Sequence, residues 1–101
     1  MAIMVVLRIP GNPADLERYA TGPGGAVMER VAADGKAAGA VRHCFAAGEN
    51  EILVIDEWPD EKTFQTFFEN QKEIEDVMRD GGAQGPPEVN VYRVLDTPDR
   101  F

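Results

Sequence analysis

Few side chains in this chain can do chemistry. There is one histidine, His43, one cysteine, Cys44, one tryptophan, Trp58, and no serine. A serine-nucleophile triad is therefore excluded. His43 is the one side chain whose ordinary titration lies near neutrality, so it is the candidate proton acceptor. The second candidate lies in the stretch "ILVIDEWPDEKTFQTFF", residues 52 to 68, where four aliphatic residues run into Asp56, Glu57 and Trp58. Strand side chains alternate, so Asp56 and Glu57 point to opposite sides and do not form a carboxylate pair. Asp56 shares its side with Ile52, Val54 and Trp58. The indole offers a flat wall and one N–H donor to an aromatic ligand, or else a packing anchor before the following helix. The same alternation separates His43 from Cys44. No further histidine or cysteine exists to complete a zinc site, so no metal is expected. Tyr92, with Asn90 and Val94 on one side of a late strand, is a further candidate donor into a cavity.

These residues need elements to position them. "AIMVVLRIP" (2–10) is β-branched and stopped by proline and glycine, so it reads as a strand. Asn12 caps a helix with Pro13 at its first position. "TGPGG" (21–25) breaks that helix, and a second helical piece over 26–34 ends near Gly35. A strand over 38–48 carries His43, "ENE" makes the turn, and Ile52 to Trp58 returns as its hairpin partner. Asp60 then caps a helix running to about Asp80. In it Phe64, Phe67, Phe68 and Gln71 recur at i, i+3, i+4 and i+7, placing three phenylalanines on one face. A loop (81–87), a last strand (88–96) and a tail that is loose or packs on a partner complete the order. The order β-α-β-β-α-β predicts an α+β, ferredoxin-like fold over residues 1–101 as one domain: a four-stranded antiparallel sheet with helices on one face.

Composition narrows the partners. A formal net charge of −8 repels phosphate backbones and anionic lipid, which argues against nucleic acid and membrane surfaces. RNA binding on such a sheet needs basic charge and exposed aromatics, whereas aliphatics stand here. One cysteine permits no internal disulfide, which fits a reducing, cytoplasmic setting. The uncovered face of the sheet should be polar if it meets water. Met4 and Val6 on the first strand, and an apolar set on either side of the third, make it apolar instead. A second copy stacked sheet to sheet would cover it, with a standard interface of about 800 Å² per partner. A homodimer is the expected assembly.

The strand end and helix start "DEWPDEKTF", Asp56 to Phe64, together with the element order, resemble the dimeric α/β-barrel proteins. The nearest branch is the antibiotic biosynthesis monooxygenase-like group. That resemblance implies a ligand cavity beside the sheet and, in active members, oxidation of polyketide-like aromatics by O₂ with no metal or flavin. Trp58 maps onto a cavity-lining tryptophan. The asparagine of quinone-forming members would fall at Val54, and an aromatic hydroxyl at Phe64, and neither polar group is present. The histidine that haem-degrading members need would fall at Phe67 or Phe68, which speaks against haem. Two functions are expected from this reading. One is a cofactor-free monooxygenase-like protein with His43 and Asp56 moving a proton and Trp58, Phe64, Phe67, Phe68 and Tyr92 binding substrate. The other is a non-catalytic dimeric barrel that holds a small apolar ligand or is purely structural.

Overall fold

The computed structural model describes residues 1–101. The chain runs β1 (Ile3–Pro10), α1 (Pro13–Thr21), α2 (Gly25–Ala38), β2 (Arg42–Gly48), β3 (Glu51–Trp58), α3 (Glu61–Asn70), α4 (Glu73–Asp80) and β4 (Glu88–Arg93). The four strands form one antiparallel sheet in the order β2-β3-β1-β4. This is the ferredoxin-like α+β arrangement, each of its two crossovers being a pair of helices instead of a single one.

Local chemistry explains the elements. Asn12 accepts from the Ala14 amide and Pro13 opens α1, as the sequence requires. Asp60 accepts from the Thr63 amide at 2.7 Å and starts α3. α2 is longer than expected: it passes through Gly35 and ends at Ala38, because the terminating residue is Gly39, held at φ +122° where a side chain is disfavoured. Strand β2 accordingly begins at Arg42, four residues later than the pattern suggested. The turn between β2 and β3 has two residues, Glu49 and Asn50, with Gly48 paired to Glu51. Asn50 supplies the left-handed position at φ 57°.

Alternation along β1 buries Ile3, Val5, Leu7 and Ile9 under the helices. Ile52, Val54 and Trp58 of β3 and Phe64 of α3 complete that core. Fully burying such side chains contributes roughly 1.5–3 kcal/mol each, and this layer outweighs any single polar contact. The other parity, Met4, Val6, Leu53 and Ile55, lies half-exposed on the uncovered face. Cys44, paired with Ile55, is exposed there as well. No helix is long and apolar enough to cross a membrane.

Candidate active site

The hairpin register sets His43 directly opposite Asp56 and Phe45 opposite Val54. Residues directly opposite each other share a face of the sheet, and this is the face that carries Trp58. Three of the expected residues therefore meet. His43 Nδ1 lies 2.7 Å from Asp56 Oδ1, and the Trp58 indole N–H donates to Asp56 Oδ2 at 3.2 Å. A carboxylate only accepts, so Nδ1 carries the proton of the neutral imidazole and Nε2 keeps its lone pair. The His43 side chain is 39% exposed and that of Asp56 13%, so the imidazole sits at the rim with its carboxylate inside. Phe45 holds the imidazole edge-on, with ring centroids 5.3 Å apart.

Behind this pair lies an apolar cavity of about 100 Å³ between the sheet and helices α2, α3 and α4. Trp58, 2% exposed, forms part of its wall. Phe67 lies tilted against the indole at 5.3 Å, Phe64 meets it at 5.9 Å, and Phe68 stacks on Phe64 at 5.5 Å. All three phenylalanines line the cavity, as do Met28 and Val31 of α2. Gly35 lines it too, and this the sequence reading missed. The site of its absent side chain lies 3.4 Å from Phe67 Cζ, an ordinary contact distance, so the Phe67 ring packs directly on α2 here.

Tyr92 is elsewhere. Its partner on β1 is Met4, which lies on the uncovered face, so the phenol is on the opposite side of the sheet from the cavity and 56% exposed. The parity of β4 was read correctly, but its register against β1 decides the face. Arg93, Val91 and Val89 take the helix side, and since β4 is the outer strand Val89 and Val91 stay exposed at 44% and 36%. Glu57 is buried on the uncovered face. Its partners are Arg100 at 3.0 Å and Arg42 at 3.8 Å. Arg8 meets Glu51 and Glu88, and the contact with Arg100 brings the tail back to the sheet. No group of three or more His, Cys, Asp or Glu side chains is positioned to hold a metal ion.

No family model and no curated protein matches the chain. Solved structures do. SnoaB, a cofactor-independent oxygenase from Streptomyces nogalater, is 20% identical, with 98% of each chain covered and a TM-score of 0.63. A monooxygenase from the gene ActVA-Orf6 of Streptomyces coelicolor, in complex with nanaomycin D, is 17% identical, covering 97% of this chain and 93% of the other at a TM-score of 0.67. A dimeric ferredoxin-like protein from an uncultured marine organism is 16% identical, covering 99% and 93% at 0.68. The chain thus has the ferredoxin-like fold of these structures, the fold that the element order predicted.

Proposed function

We propose that the chain is a monooxygenase-like enzyme that holds a small aromatic, phenol-bearing molecule in the cavity beside the sheet. The single observation that carries this reading is the chain of contacts from Trp58 through Asp56 to His43, ending in a lone pair at the rim of an apolar cavity. Trp58, Phe64, Phe67 and Phe68 wall the ring of the substrate. His43 Nε2 takes the phenolic proton, and the charge the imidazolium gains is met by Asp56. The phenolate is electron-rich enough to donate to dioxygen. One oxygen atom ends on the ring as a quinone carbonyl and the other leaves as water, while the arene gives up two hydrogens and four electrons. Positioned proton transfer of this kind contributes about 10²–10⁴-fold to rate. The cofactor-independent oxygenase and the monooxygenase among the similar structures support the reading. Tyr92 has no part in it.

A second reading, a barrel that binds an apolar ligand without turnover, is favoured by Val54 and Phe64, which place no polar atom where quinone-forming relatives are expected to have one. Oxygen uptake with a panel of phenols from one ring to three separates the two. Uptake that falls at least about 10²-fold in His43→Ala supports the first. Uptake unchanged in His43→Ala and Trp58→Phe removes the assigned roles. Absence of uptake together with quenching of Trp58 fluorescence by the same phenols selects the binding protein. In either case we propose a homodimer closed through the uncovered sheet face, supported by the half-exposed Met4, Val6, Leu53 and Ile55 and by the dimeric ferredoxin-like structure.

A further inference from the structure

The polar content of the cavity is small enough to define its ligand. Of the 18 residues lining it, 15 are hydrophobic, and the others are Gly35, His43 and Asp56. Both Asp56 oxygens are engaged, one by the imidazole and one by the indole. The indole N–H is itself the donor in the second contact. That leaves His43 Nε2 as the one polar side-chain atom of the lining without a partner, and it lies at the rim. A ligand group that needs a hydrogen bond is satisfied there and nowhere deeper. Any further hydroxyl carried inward loses its water with no replacement, which lowers affinity roughly ten-fold. Size acts in the same direction. An engineered apolar cavity on the order of 150 Å³ accommodates benzene, and this one is about 100 Å³. It encloses no more than one six-membered ring.

We propose that the site takes a single-ring hydroxyarene with one acidic hydroxyl and otherwise apolar substituents, in preference to polyhydroxylated or fused-ring molecules. This rests on the proposed placement of the ligand hydroxyl beside His43, but not on turnover. The hydroxyl donates to Nε2, and the ring lies within the wall formed by Trp58, Phe67 and Met28.

Trp58 is the only tryptophan and belongs to the cavity wall, so its fluorescence reads binding without activity. Titrations under nitrogen with 4-methylphenol, 4-methylanisole, hydroquinone and anthrone give the test. The first should bind about ten-fold tighter than its methyl ether, which cannot donate, and about ten-fold tighter than hydroquinone, which replaces a methyl by a second hydroxyl. Anthrone, with three fused rings, should bind more weakly than 4-methylphenol. In His43→Ala the advantage over the ether should vanish while both ligands still bind. Equal binding of phenol and ether by the native chain, or tighter binding of hydroquinone or anthrone, overturns the proposal, and neither result depends on any variant folding. The two proposals fail separately. The stated binding order without oxygen uptake sinks the catalytic reading and supports this one. Uptake that is fastest on anthrone, with anthrone bound tightest, does the reverse.

Discussion

Replacing Asp56 by asparagine isolates what the carboxylate does for His43. The carboxylate accepts from two donors at once, the imidazole at 2.7 Å and the indole at 3.2 Å. Asparagine has nearly the same shape but only one oxygen. The indole can only donate, so it claims that oxygen, and the amide NH₂ then faces the imidazole. Nδ1 must turn from donor to acceptor, the ring proton moves to Nε2, and the lone pair at the cavity rim is lost. A charge-assisted hydrogen bond contributes about 1.5–3 kcal/mol. The His43 side chain is 39% exposed, and water screening brings the figure to about 1.4 kcal/mol, a roughly ten-fold preference for the Nδ1–H form. His43 is the only histidine, so a long-range ¹H–¹⁵N spectrum of labelled protein shows just its two ring nitrogens. It is recorded well above the ordinary histidine value of about 6.5. Roughly nine molecules in ten of the native chain should carry the proton on Nδ1, and Asp56→Asn should invert that ratio. Turnover in the variant should fall by about 10²–10⁴-fold. A native imidazole protonated on Nε2, or a ratio that Asp56→Asn leaves unchanged, would refute the assignment of a base to this site.

Three further outcomes are expected. Gly35→Ala should raise stability in chemical denaturation by roughly 0.5 kcal/mol, because the helix gains propensity and the added methyl meets Phe67 at an ordinary 3.4 Å; Gly35→Leu should push that ring into the cavity and weaken 4-methylphenol binding by about ten-fold or more. The Thr63 amide holds the Asp60 carboxyl below its usual value of 3.8, so its stabilisation is complete above that value and fades as pH falls through the lowered one. The native chain should therefore melt above Asp60→Asn near neutrality, with the gap closing in acid; a gap constant with pH would contradict this. Ile55→Lys, beside Val6 in the middle of the uncovered face, should give a folded monomer in sedimentation velocity, whereas a native chain that is already monomeric at micromolar concentration would end the dimer proposal.

The layers of the fold are legible in residue spacing. The alternation in "ILVIDEW" assigned Asp56 and Trp58 to one side of β3, and the phenylalanines at 64, 67 and 68 marked the face of α3 that covers them. The meeting of His43 with Asp56 was not legible, because it depends on a turn length. A turn over "ENE" brings position 43 opposite position 57, while the observed two-residue turn brings it opposite 56. Asn50 decides this by accepting a left-handed backbone, and a one-residue difference of that kind changes every pair in the hairpin. Gly35 was read as a helix end because glycine usually terminates helices; the helix instead continues through it, and Gly39 does the terminating. Tyr92 was misassigned because parity within a strand gives two sides but not which of them the neighbouring strand turns to the helices.

Strand β3 carries the proposed ligand wall on Val54, Asp56 and Trp58, and the proposed subunit contact on Leu53, Ile55 and Glu57. Lineages descending from a common ancestor can exchange residues on either set independently, so ligand choice can drift while assembly is retained. Gain or loss of one codon within positions 51 to 58 has no such freedom, since it would exchange the two sets along the rest of the strand and disable both at once. Homologues should therefore vary in letters but not in length across this segment.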